Sequence, residues 1–119
     1  MMRVNDIYRK MIFMGPDLVI CIGNSGGGHI GSCVISEPYE KDGQIHITSS
    51  TRNLLSHKEG EIALLYSEAA AKELNRTVCC ICGIHYDDIT AEELLAVREW
   101  CEKDIEEMKK LFTCCNFLF

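Results

Sequence analysis

Short apolar runs cut by turn residues fill the first half of this chain, and apolar residues at helical spacing follow from about residue 56. That change of period limits the fold more than any single residue does, because a strand needs period two and a helix 3.6. Tyr8 to Met14 is apolar-rich and ends in the turn signal Gly15-Pro16-Asp17. Leu18-Val19-Ile20-Cys21-Ile22 reads as a central strand, Ile30 to Ser36 as a third, and Pro38 to Gly43 as a turn. Gln44-Ile45-His46-Ile47-Thr48 alternates as a strand with one wetter face does. Gly15 and Gly43 suit hairpins, so the four strands are expected to form an antiparallel meander.

Two helices are expected beyond it. Ser56-His57-Lys58-Glu59 has the form of a capping box, and Ile62, Leu65, Ala69 and the Ala70–Leu74 side give an apolar stripe running to about Asn75. Thr77 to Ile84 is a cysteine-rich strand. Thr90-Ala91-Glu92-Glu93 is a second capping box, with Ile89 and Leu94 placed for a hydrophobic staple. Leu94, Val97, Cys101, Ile105, Met108 and Leu111 then follow at helical spacing. The order ββββαβα implies an α+β fold: a largely antiparallel sheet of four to five strands with both helices on one face. The 119 residues read as a single domain, 1–119, with an apolar tail at about 111–119.

Bulk properties exclude several partners. A net charge of −6 and no basic cluster argue against nucleic acid. No apolar run approaches the roughly 20 residues of a membrane span. The start, Met1 to Asp6, lacks the apolar stretch of a secretory signal, so a cytoplasmic location is expected. Eight cysteines suggest disulfides or zinc, yet no pair of C-x-x-C knuckles exists and most cysteines lie in apolar runs. They read as reduced and structural. Cys114-Cys115, in the tail, is the exception.

The residues with chemistry gather in Asn24-Ser25-Gly26-Gly27-Gly28-His29-Ile30-Gly31-Ser32. A plain mobile hairpin loop is one reading of it. The other is a backbone nest, in which Gly26, Gly27, Gly28, Gly31 and Ser32 close around an anion beside His29. Chain direction supports a site. If the second strand ends at the top, so do the fourth and fifth, which brings His29, His57 and His85 to one rim. Both helix starts, Lys58 and Arg52 join them, an environment suited to a phosphate or carboxylate. Asp87 and Asp88 add carboxylates able to orient a histidine, hold a cation or move a proton. His46, Tyr66 and Trp100 read as surface or packing groups.

Three blocks in this order carry a family likeness: Gly28-His29-Ile30-Gly31, then His57-Lys58-Glu59, then Gly83-Ile84-His85-Tyr86-Asp87-Asp88-Ile89-Thr90 with Glu92-Glu93. From Asp17 to the second helix the chain resembles the LpdD-like prenylated-flavin chaperones, the small D-type subunit of gallate-type hydroxyarylic acid decarboxylases. The resemblance implies a non-catalytic accessory subunit. Such a subunit binds prenylated FMN and delivers it to the decarboxylase catalytic subunit, with a flavin prenyltransferase as a further partner. Carried over by position, His29, His57, Lys58, His85 and Asp87 are its ligand-site residues. Two alternatives stand beside it. One is a zinc-dependent hydrolase or amidohydrolase using His29, His57, His85 and Asp87. The other is an assembly subunit, docking a partner or a second copy through the apolar tail, with no small-molecule ligand.

Overall fold

The computed structural model describes residues 3–54 and 60–114. Five strands and two helices follow in the order β1 (Ile7–Met14), β2 (Asp17–Asn24), β3 (Ser32–Lys41), β4 (Gln44–Asn53), α1 (Gly60–Leu74), β5 (Val78–Gly83) and α2 (Ala91–Cys114). This is the expected ββββαβα arrangement, an α+β fold with a mostly antiparallel sheet.

The strands do not form a meander. Their spatial order is β1-β2-β5-β3-β4, so β5 lies between β2 and β3. It runs parallel to β2 and antiparallel to β3, in register Ile20↔Cys80 and Val34↔Cys80. Burial explains the insertion. Val78, Cys80 and Cys82 are fully covered, and the remaining side chains of β5 are half-buried, which only a central strand allows.

The third strand is also longer than its sequence suggests. Pro38 to Lys41 belong to β3 and pair with Ile47 to Gln44 of β4. The turn is confined to Asp42 and Gly43, at φ 54° and 75°, the two left-handed residues a tight hairpin demands. Pro38 lacks an N–H, but it lies beyond the last β3–β5 pair, Ser36↔Val78.

One face of the sheet carries the core. Leu18, Ile20 and Ile22 of β2, Val34 of β3 and Val78, Cys80 and Cys82 of β5 meet Ala63, Tyr66, Ala70 and Ala71 of α1 and Val97, Cys101, Met108 and Phe112 of α2. The buried stripe of α1 is thus Gly60, Ala63, Tyr66, Ser67, Ala70 and Ala71, rotated from the expected one, and Leu65 is exposed. On α2, Phe112 replaces Leu111 as the terminal core residue, while Ile89 and Leu94 stay exposed. The first expected capping box, at 56–59, lies outside the described residues. The second forms: the Glu93 N–H donates to Thr90 Oγ1 at 3.0 Å and the Thr90 N–H to Glu93 Oε1 at 3.1 Å. Asn75, at φ 52°, ends α1 in the left-handed conformation, its N–H on the Ala71 carbonyl.

A polar clamp ties the layers together. Arg9 of β1 grips Asp104 of α2 through two bonds of 2.7 and 3.2 Å, and Tyr66 of α1 donates to the same carboxylate at 2.8 Å. Neither of the described helices covers the opposite face of the sheet. Tyr8, Ile12, Val19, Cys21, Cys33, Ile35, Cys79 and Ile81 lie on it by register. No described helix is long and apolar enough to cross a membrane.

Candidate functional site at the sheet rim

The segment from Ser25 to Gly31 has to carry the chain from β2 to β3 over the end of β5. Strands two apart are separated by about 10 Å, well within the reach of seven residues, and the chain takes a low path close over Gly83. Glycine makes that approach feasible. A Cβ on Gly83 would collide with the His29 carbonyl, and one on Gly28 would lie 2.7 Å from the Asn24 carbonyl oxygen. The glycines therefore serve a backbone crossing. Gly31 completes it, donating to the Cys82 carbonyl and accepting from the Leu54 N–H, both at 2.9 Å.

The loop already holds an anion, and it is the protein's own. Asp6 accepts the Gly26 N–H at 2.7 Å on one carboxylate oxygen and the Tyr86 hydroxyl at 2.5 Å on the other. Its backbone carbonyl takes the Ser25 N–H at 3.1 Å. The Tyr86 bond, helped by the Gly26 amide, holds the Asp6 carboxyl below its usual range, and burial and the same carboxylate push the Tyr86 hydroxyl up. Gly28 N–H is spent on the Asn24 carbonyl. A Cβ on Gly27 would meet the His85 carbonyl at an ordinary contact distance of 3.6 Å. Ser32 turns toward the helix-covered face, and its buried hydroxyl has no partner among the described residues.

Asn24, 3% exposed, fixes the next piece. Its Nδ2 donates to the His85 carbonyl at 3.0 Å and its Oδ1 accepts the His85 N–H at 2.8 Å. This clasp sets the backbone of His85 beside the glycine loop, and the His29 and His85 rings stand 5.3 Å apart, tilted by 39°. His85 Nε2 bonds Asp87 Oδ1 at 2.9 Å on an open surface. Two imidazoles and a carboxylate thus meet at the top of the sheet. His57 and Lys58 lie outside the described residues. Among the described residues no group of three or more His, Cys, Asp or Glu side chains could hold a metal ion.

Charge divides the rim. The β5–α2 side carries Asp6, Asp87, Asp88, Glu92 and Glu93 against Arg3, which grips Glu93 at 2.8 and 2.9 Å and stacks 5.7 Å over Tyr86. The start of α2 is therefore served by its own carboxylates. The other side is apolar. A shallow cavity of about 270 Å³ opens on the helix-free face, floored by Cys21, Gly23, Ile81 and Gly83 and walled by Tyr8 on one side and His29 and Ile30 on the other. Lys10 Nζ stands 5.1 Å over the Tyr8 ring at its edge. A larger groove of about 510 Å³ runs between α1 and α2, lined by Leu65, Ala69 and Ile105 and flanked by the surface ion pairs Arg98–Glu102 and Lys109–Glu106.

Sequence reading missed Tyr8, Cys21 and Ile81 as cavity residues, and Asp6 and Asn24 as the groups that build the rim. The strict alternation of β1, with Tyr8, Lys10, Ile12 and Met14 on one side, was the available signal. The depth of the cavity needs β1, β2 and β5 side by side.

Similarity to known proteins bears on what this rim holds. No curated protein matches the chain. A chain in the crystal structure of a novel chaperone complex for yeast 20S proteasome assembly superposes with a TM-score of 0.52 at 10% identity, covering 87% of this chain and 94% of that one. At that identity the likeness concerns the fold alone. The sequence pattern of the prenylated flavin chaperone LpdD-like domain matches residues 3–113, a span that takes in both clasps of the rim, Asp6 and Asn24, and nearly all of α2. By that match this protein belongs to the LpdD-like prenylated flavin chaperones.

Proposed function

We propose that the chain carries prenylated FMN, with the flavin ring system seated in the cavity between Tyr8 and His29. The observation that supports this most is the cavity's place: an apolar depression on the uncovered face, edged by the imidazole of His29, whose ring neighbours that of His85. At about 270 Å³ it is slightly smaller than the roughly 300–1,000 Å³ of a closed small-molecule site. A ring system held there keeps one side toward the open sheet, which suits a protein that must release its cargo intact. Apolar contact with Ile81 and Cys21 and stacking on Tyr8 supply affinity, and His29 faces the ring's polar edge.

The phosphate has a different anchor from the one the glycines suggested. Gly26 N–H is occupied by Asp6 and the start of α2 is lined with carboxylates. Lys10, whose Nζ stands 5.1 Å over the ring of the cavity-wall residue Tyr8, is the cation that would meet the phosphate. Delivery then proceeds through the helix-free face, where a hydroxyarylic acid decarboxylase catalytic subunit would meet Ile12, Ile35 and the cargo. No step needs a nucleophile from this chain.

Co-expression with a flavin prenyltransferase and anaerobic purification should give protein with a flavin-like absorbance and one phosphate-bearing flavin per chain. Tyr8→Ala should weaken that loading by about tenfold, the worth of a lost aromatic contact near 1.4 kcal/mol. Failure of phosphate-bearing flavins both to load and to compete would remove the proposal. Transfer is read separately, by adding loaded protein to apo-decarboxylase and following decarboxylation.

A further inference from the structure

Three cysteines share the helix-free face: Cys21 of β2, Cys79 of β5 and Cys33 of β3. Two of them touch. The sulfurs of Cys33 and Cys79 are 3.6 Å apart, and both residues are half-buried, reachable from the open side. The separation itself says what the pair suits. A disulfide draws its sulfurs to about 2.05 Å and spans Cα atoms roughly 4.4–6.8 Å apart. Cys33 and Cys79 are one step out of register, since Cys33 pairs with Ile81 and Cys79 with Ile35. Such diagonal neighbours stand about 7–8 Å apart at Cα. Closing a direct bond would require the central strands to slide.

One atom bonded to both sulfurs requires no sliding. Two sulfurs bound to one centre at about 2.3 Å, at an angle between a right angle and the tetrahedral value, stand roughly 3.3–3.8 Å apart, a range that holds the observed 3.6 Å. We infer that Cys33 and Cys79 form a two-thiolate site for trivalent arsenic, which takes two protein sulfurs and one further group. Val19, Ile35 and Ile81 are its apolar neighbours on that face by register. Cys21 is near enough to act electrostatically on Cys79, yet no three-ligand group exists among the described residues. The site therefore favours an ion satisfied by two protein ligands. On binding, each S–H bond breaks, the proton leaves to water and the sulfur donates its electron pair; no electron is transferred. This inference does not depend on the flavin reading.

Phenylarsine oxide tests it, because two As–S bonds replace the arsenic–oxygen bond, the oxygen leaves as water, and the phenyl group fills the third position. The parent protein is the full chain with Cys114→Ser and Cys115→Ser, which removes the adjacent pair in the tail. Intact mass should show one arsenical per chain, removed by a dithiol and resistant to a monothiol. Alkylation mapping on that parent should find Cys33 and Cys79 protected and Cys21 still reactive. Either Cys33→Ser or Cys79→Ser should lower affinity by about a hundredfold, as a chelate becomes a single bond. Cys21→Ser should leave it unchanged. Protection at any other pair, no uptake by the parent, or closure of Cys33 and Cys79 to a disulfide under oxidised glutathione would overturn the assignment. The mapping uses the parent chain, so it decides the matter even if a serine variant fails to fold.

Discussion

At the scale of single residues, the rim is set by groups whose side chains serve the backbone. Asn24 is the sharpest case. Its amide satisfies both main-chain groups of His85 from a buried position. Asn24→Ala should destabilise the protein by about 2 kcal/mol, the cost of leaving buried polar groups without partners, measurable as a lower denaturant midpoint. Gly83→Ala should cost at least as much, about 3 kcal/mol, because the added carbon meets the His29 carbonyl and backbone cannot rotate away. Glu93 supplies a pH signature. Arg3 and the Thr90 amide hold its carboxyl down to about 2 from an ordinary 4.5. A group whose folded value is depressed stabilises the fold above its unfolded value and loses that contribution as pH falls through the folded one. Thermal melts between pH 4.5 and 2 should thus fall less steeply in Glu93→Gln than in the unaltered protein. Equal slopes would show that the Arg3 clasp contributes nothing.

At the scale of elements, the helices were legible in type and less so in facing. The Thr90–Glu93 capping box could be read directly, because a cap is a local bond between residues three apart. Thr90→Ala should cost about 1 kcal/mol. The stripe of α1 was misjudged because Leu65 looks like core, whereas small Ala63, Ala70 and Ala71 let the helix approach β3 and β5 closely. Asp104 joins three elements by accepting from Arg9 and Tyr66. Asp104→Ala strands an arginine that is only 13% exposed, so a loss of about 3 kcal/mol is expected in equilibrium unfolding. Neither partner is near it in sequence, so no spacing pattern could reveal it.

For the molecule as a whole, the expected meander was wrong, yet the expected rim was in part found. Inserting β5 between β2 and β3 changes which strands are neighbours but leaves each strand's direction as expected. His29 and His85 therefore still meet at the end where β2 and β5 finish. The glycines between them admitted two readings, a mobile hairpin loop or an anion nest, and their part in the crossing over Gly83 became clear only with the structure. Sequence alone determined the kind and order of the elements and the direction in which each runs, since periodicity and turn chemistry act over a few residues. The tertiary structure alone decided which strands are adjacent, which face lies bare, and where a cavity opens beside His29. Those outcomes depend on burying β5 from both sides, a gain in free energy shared among residues far apart in the chain and written in no local pattern.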